Sequence, residues 1–436
     1  MARAKKTEVC LSYESKDQER RALITKYNKE AGERLIGSLK EEAINGYSVI
    51  STGIPSLDIK LGSGGVPKGR VTEIYGPNQA GKTTIALQMA ANVYKAGGTV
   101  IYVDAEYALD VNYAIALGLD VEDDSRFLLV QPDYGEQGFN AIYSFMKKGL
   151  VDLVIVDSYP MMTPYAAIMS AEENGFEKTP AVALSARMWG FFLDKTLKYI
   201  KRNNIAFVVL NQERVVAQGP SLGTGRAGGN VLKHVDFITI QMRSKASNYD
   251  GDGDIEKGTY DGKSRKSVAF IVKNKMASPY RSSVLQIDFG KGVNYYIDLL
   301  DVANEYKAGV SIGGAGWITF LDENGEELQK IQGKEAAADL LATDKELITK
   351  ILDIVEEKTA IRLFNPLSPL DKYGRVKDMV VNDTVEVVCY EDDGEDELFT
   401  EDEINKSIAE IATIEEKDYD PIIVQDVEEN NNSLGL

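Results

Sequence analysis

Residues 71–97 read VTEIYGPNQAGKTTIALQMAANVYKAG, and this stretch decides the fold. VTEIY has the β-branched and aromatic character of a strand. Gly76-Pro77-Asn78-Gln79-Ala80-Gly81-Lys82-Thr83 completes the pattern G-x-x-x-x-G-K-[ST], and a helix-forming run follows from Thr84. A strand feeding a glycine-rich loop and then a helix is a phosphate cradle. The glycines let backbone N–H groups wrap the phosphates, and the helix N-terminus adds positive partial charge. Lys82 is spaced to reach the β- and γ-phosphates, and the Thr83 hydroxyl to ligate Mg²⁺. The expected cofactors are therefore ATP and Mg²⁺, held by residues 76–84.

Outward from the loop, the strand–loop–helix pattern repeats. TVIYVDAE (99–106), FLLVQ (127–131), LVDLVIVDS (150–158) and IAFVVLNQ (205–212) are apolar runs separated by helical segments. Nearly continuous apolar strands alternating with helices indicate an α/β fold with a buried, mainly parallel sheet. VDFITIQMR (235–243), SVAFIVKNK (267–275) and SVLQIDF (283–289) follow without helices between them and suggest an antiparallel extension. Asp157 closes one apolar strand, where a carboxylate can hold Mg²⁺ through water. Glu106 closes another, and can orient an attacking water if its strand lies close to the phosphate loop.

Four segments are expected. Residues 1–45 carry a helix over 15–40, with capping-box spacing at Ser15 and Gln18 and an apolar stripe of Leu23, Tyr27, Ala31 and Leu35. Residues 46–295 form the ATPase core, and residues 296–360 a smaller α/β domain. Residues 361–436 hold a possible hairpin at 375–390 and an acidic end on which no structure is forced.

Charge follows the same division. The net charge is −19, but residues 376–436 hold 20 acidic and 3 basic residues, a net of −17. The remainder has 48 acidic and 46 basic residues, a net of −2, so a nucleic-acid surface elsewhere is not excluded. One histidine, His234, argues against His-based catalysis or a His-rich metal site. Cys10 and Cys389 fit no zinc spacing. The absence of a signal-like N-terminus or of about 18 consecutive apolar residues leads to an expectation of a cytoplasmic protein without membrane contact.

GPNQAGKTT, YVDAEYALD, QPDYGEQ, VIVDS, LNQ, GGNVLK and VKNK stand in an order and spacing that resemble the bacterial and phage RecA recombinases. STGIPSLDIKLGSGGVPKGRVTEIYGP resembles the stretch before the phosphate loop in that family. The likeness covers about residues 45–355. It implies a RecA-type core with an N-terminal helical arm, and a DNA-dependent ATPase that forms a filament on single-stranded DNA. That filament would pair single-stranded with homologous double-stranded DNA and exchange strands in recombination and repair.

The resemblance also implies roles. Glu106 matches the carboxylate that activates water, Tyr113 the aromatic that stacks on adenine, and Asp110 the polar contact to the base. Gln212 matches the sensor of the γ-phosphate. Lys273 and Lys275 match lysines that reach the ATP of the adjacent subunit, which implies a head-to-tail filament of this chain with itself. Two polar stretches, Pro164–Leu184 and Glu213–Gly229, resemble DNA-binding loops. Arg187, Arg214, Gly228, Gly229 and Asn230 match contacts to the DNA backbone. The chain departs from the family at Glu213, Asp194 and Tyr107. The acidic end suggests an electrostatic competitor that covers a DNA site of the same chain, or a site for single-strand-binding or mediator proteins. A ring-forming helicase and a DNA-coating scaffold remain as alternatives, separable by joint-molecule formation.

Overall fold

A computed structural model describes residues 13–32, 35–37, 48–174, 181–218, 221–226, 231–244, 264–322 and 325–367. The chain divides into two units, Met1–Tyr47 and Ser48–Leu436. In the first, helix α1 (Tyr13–Glu30) is shorter than its apolar spacing suggests. Gly32 adopts a φ of 64°, and the Asn28 side chain bonds both the N–H and the C=O of Ile36, turning the chain back. Ser15 lies inside the helix and is not its cap. Leu23 and Tyr27 of the apolar stripe are exposed, as is Leu35 beyond the helix.

The second unit opens with strands β1 (Val49–Ile50) and β2 (Val66–Pro67) flanking helix α2 (Pro55–Leu61). The main sheet contains β3 (Arg70–Gly76), β4 (Val100–Asp104), β5 (Phe127–Val130), β6 (Leu153–Asp157), β7 (Ala206–Gln218), β9 (Ile238–Ser244), β10 (Ser264–Asn274), β11 (Ser282–Asp288) and β12 (Gly292–Val293). Their order is β12-β11-β10-β9-β3-β7-β6-β4-β5. The strands from β5 to β9 run parallel. The antiparallel extension begins one strand later than expected, at β10, because β9 runs parallel to β3.

Alternation along the parallel strands divides the core between two faces. Val100, Tyr102, Leu153, Ile155 and Val208 pack with helix α3 (Lys82–Lys95). Ile101, Val103, Val154, Val156 and Phe207 pack with α5 (Gly135–Lys148) and α7 (Ala181–Arg202). Helix α4 (Val111–Leu117) follows β4. A third core joins α9 (Tyr295–Glu305), α10 (Lys334–Thr343) and α11 (Lys345–Thr359) to a three-stranded antiparallel sheet: β13 (Val310–Ile312), β14 (Trp317–Leu321) and β15 (Glu327–Gln332). Asp344 separates α10 from α11 by accepting from the N–H groups of Glu346 and Leu347.

Both stretches read as loops contain regular structure. Pro164–Leu184 includes helix α6 (Tyr165–Asn174) and the start of α7, because YAAIMSA is rich in helix formers. Past Gln212, β7 continues to Gln218 and pairs antiparallel with β8 (Ser221–Arg226), forming a hairpin. Backbone pairing supplies the order that the polar, glycine-rich composition conceals. Residues 228–230 and the proposed 375–390 hairpin lie outside the described residues. Helix α8 (Val231–Val235) follows the hairpin.

Candidate active site

The phosphate loop joins β3 to α3 at the carboxyl end of the parallel strands. Two glycines are required by their surroundings. A Cβ on Gly76, whose φ is 155°, would stand 2.1 Å from the Met242 carbonyl oxygen. A Cβ on Gly81, whose φ is 95°, would meet Ile287 at 2.4 Å. Pro77, Asn78 and Gln79 are exposed, whereas Ala80 is buried. Lys82 folds back and donates to the carbonyls of Gly76 (3.1 Å) and Pro77 (2.8 Å). Burial pushes its pKa down, while Asp157, Glu106 and Glu213 push it up.

Thr83 Oγ1 donates to Asp157 Oδ2 at 2.9 Å, and Tyr102 Oη donates to the same oxygen at 2.6 Å. Burial raises the Asp157 pKa, and these two hydrogen bonds oppose it. The hydroxyl and carboxylate expected at a metal thus converge, although their residues are 74 positions apart. Among the described residues no group of three or more His, Cys, Asp or Glu forms a metal cage. One hydroxyl and one carboxylate nevertheless suit Mg²⁺, which takes its remaining ligands from phosphate and water.

Glu106 does not lie on a strand beside the phosphate loop: β7 and β6 separate β4 from β3. It reaches the site from the turn after β4. That turn is held by buried Asp104, which accepts from the N–H groups of Ala108 (3.1 Å) and Leu109 (3.2 Å) and from Gln131 Nε2 (3.1 Å). Glu106 Oε1 accepts from Ser158 Oγ at 2.5 Å and from Gln212 Nε2 at 3.0 Å. Residues just past β4 and β6, and from the point where β7 leaves its parallel pairing with β3, therefore meet at one carboxylate.

A cavity of about 610 Å³ opens beside the loop. Thr84, Asp110 and Tyr113 line one part, and Arg265, Phe289 and Gly290 line another. Asp110 caps α4 by accepting from Tyr113 N, and Tyr113 Oη donates to Thr84 Oγ1 at 3.0 Å. Sequence reasoning missed Ser158, Tyr102 and Arg265. The first two flank recognised carboxylates, but Arg265 enters from β10 with no local motif to mark it.

Lys273 and Lys275 stand away from this loop. Lys273 pairs in register with Thr239, itself opposite Glu73, three residues before the loop begins. Lys275 N donates to Phe237 O, and Phe237 N to Val71 O, a level some five residues below Gly76. At about 3.3 Å per residue this separation is roughly 16 Å. Lys273 Nζ bonds Asp236 and the Lys233 carbonyl, and Lys275 lies 5.6 Å from the Phe237 ring centre. Arg187 and Arg214 are exposed, whereas Gly228, Gly229 and Asn230 fall outside the described residues. Lys330 packs over Trp317, and Lys334 pairs with Asp301.

This geometry defines a phosphate-loop ATPase with Lys82, Glu106 and Asp157 gathered at the carboxyl end of a parallel sheet. Residues 19–294 match the family model described as the RecA N-terminal domain. Protein RecA of Acinetobacter baylyi is 34% identical over 349 residues, covering 79% of this chain and 93% of the relative. Protein RecA of Wolinella succinogenes is 35% identical over 330 residues, covering 75% and 88% respectively. For Protein RecA of Xanthomonas axonopodis pv. citri, identity is 36% over 351 residues, covering 79% and 94%. The chain belongs to the RecA family of ATP-dependent DNA recombinases.

Proposed function

We propose that this protein polymerises head-to-tail on single-stranded DNA, tests duplexes for homology, exchanges strands and hydrolyses ATP to turn the filament over. One observation carries the mechanism: Glu106 and Gln212 share a hydrogen bond at the nucleotide site, and Gln212 leads directly into the hairpin. A change at the γ-phosphate thereby has a continuous strand along which to reach DNA.

In this reading Lys82 leaves its two loop carbonyls to bind the β- and γ-phosphates. Tyr113 and Asp110 receive the base. Thr83 and Asp157 would hold Mg²⁺, which when bound neutralises phosphate charge. Glu106 takes a proton from water as the water oxygen bonds to the γ-phosphorus; the bond to the ADP oxygen breaks, and phosphate and ADP leave. Gln212 reports the loss of the γ-phosphate to the hairpin. Lys273 and Lys275, too far from their own loop, act on the nucleotide of a neighbouring copy. Arg187, Arg214 and residues 228–230 contact the DNA backbone, so that sequence is read by base pairing and not by the protein.

The segments take corresponding roles: 1–45 as the oligomerisation arm, 46–295 as the motor core, 296–360 as a small domain facing duplex DNA, and 361–436 as an acidic end open to single-strand-binding or mediator proteins. No helix among the described residues is long and apolar enough to cross a membrane. The reading places the protein in the cytoplasm, of a host cell if phage-encoded.

The test is strand exchange between homologous DNAs with ATP and Mg²⁺, comparing wild type with Glu106→Gln. Wild type is expected to form joint molecules. The variant should pair DNA while hydrolysing ATP at least about 100-fold more slowly. ATP hydrolysis on single-stranded DNA without joint molecules would overturn the exchange reading and favour a motor or scaffold.

A further inference from the structure

Behind the hairpin lies a charge cluster of which the mechanism above uses only Lys273. Glu73, in the middle of β3, and Asp236, after α8, are both fully buried. Arg226, the last residue of β8, contacts both: its Nη1 bonds Glu73 Oε2 and lies 3.1 Å from Asp236 Oδ2. Lys273 bonds the other Asp236 oxygen. Asn211 Nδ2 donates to Glu73 Oε1 at 2.8 Å, and Thr239 Oγ1 donates to Asp236. Two buried anions are thus matched by two cations, one from the hairpin and one from the lysine read as acting on a neighbour's nucleotide.

Electrostatics restricts what these cations can do. Removing a cation from a buried carboxylate strongly opposes folding unless another cation remains. Lys273 cannot bond Asp236 and reach another subunit's phosphate with the same ammonium. When it leaves, Asp236 must be held by Arg226 alone. A guanidinium has five donors in a fixed plane and already spans both carboxylates, whereas an ammonium is a single point. Arg226 is held at the base of the hairpin by its register, in which it stands opposite Glu213.

We propose that Arg226 is a positioning residue for the ATPase: seated by the hairpin, it stays as the cation shared by Glu73 and Asp236, so that Asp236 keeps a paired charge when Lys273 leaves to act across the subunit interface. The inference rests on the reading of Lys273 given above. Arg226 is then a latch inside the protein and not a DNA-phosphate ligand. Hairpin seating becomes the condition for ATP turnover in the adjacent subunit.

A charge-balanced double variant of the full-length protein, and a triple variant built on it, test this without relying on a destabilised single substitution. In Glu73→Gln/Arg226→Gln, the remaining Asp236–Lys273 pair is neutral but nothing replaces Lys273. This variant should fold, bind ATP with KM within about twofold of wild type, and lose at least tenfold in DNA-stimulated kcat. Adding Asp236→Asn removes the anion that detains Lys273. The triple variant should recover to within about threefold of wild type, an outcome that a purely structural role of Arg226 does not produce. Unreduced kcat in the double variant, or a folded triple variant no faster than the double, overturns the proposal. Lys273→Met, measured alongside, separates the two readings. If it retains full DNA-stimulated turnover, the action of Lys273 on a neighbour fails, and this inference with it. If it is slow while Glu73→Gln/Arg226→Gln is fast, only the latch fails.

Discussion

The two halves of the main sheet obey different rules. In the parallel half, β4 and β6 are buried at every position, with helices on both faces. Such strands can present chemistry only where their parallel pairing stops: Glu106 and Asp157 lie at or just beyond the ends of β4 and β6, and Gln212 is the last residue of β7 paired with β3. In the antiparallel half, β11 alternates exposed and buried residues along Ser282–Ile287. One face is left open, and functional candidates are spread along the strands: Arg265 at the cavity, Lys273 and Lys275 at the far end. Covering a sheet on both sides confines its chemistry to the rim, whereas leaving one side open gives it a lateral surface that a second molecule can approach.

Four measurements break or sharpen this contrast. The largest effect belongs to the rim: Lys82→Ala should reduce ATP turnover by at least about 100-fold, with the melting temperature nearly unchanged. A loss of less than tenfold would mean that the loop is not where charge develops. Next come the buried strands. Ile155→Ala removes a fully buried side chain and should cost about 2–5 kcal/mol in a denaturant titration.

A smaller effect is expected where the antiparallel half meets α9. Asp298 accepts from Ser56 N and Oγ, but burial pushes its pKa up to about 6. A raised carboxylate pKa means that the folded state holds a proton the unfolded state has lost. Its contribution is present below pH 4 and is lost as pH rises through about 6. Between pH 5 and 7 the melting temperature should fall by a few degrees more in wild type than in Asp298→Asn; identical slopes would refute the assignment. The smallest effect is at the open face: Val284→Ala, half exposed on β11, should cost under about 1 kcal/mol. A cost equal to that of Ile155→Ala would erase the distinction between the halves.

Legibility in the sequence followed the same boundary. The phosphate loop is eight contiguous residues, so its function is written in local spacing. The parallel strands announce themselves as apolar runs because both faces are buried, and Asp157 and Glu106 are conspicuous as acids ending such runs. What escaped notice depends on distant partners. Arg226 meets Glu73 across 153 positions. The continuation of β7 into a hairpin rests on backbone pairing of Glu213–Gln218 with Ser221–Arg226, whose Gly, Ser and Thr read as loop. Helix α1 ends early for a local reason, Asn28 and Gly32, that an apolar stripe alone overrides on paper. That Glu106 reaches the site past two intervening strands follows from strand order, which periodicity does not encode.

Strand β7 has a mechanical consequence. It is one unbroken element from Ala206 in the core, through Gln212 beside Glu106, to Gln218 near the tip of the hairpin. From Gln212 to Gln218 spans about 20 Å at roughly 3.3 Å per residue. Treated as a stiff rod pivoting at Gln212, it would convert a tilt of about 10° into a displacement of roughly 3.5 Å at its end. The glutamine is then a fulcrum: a shift too small to disturb the packed sheet grows into one as large as the spacing between stacked bases.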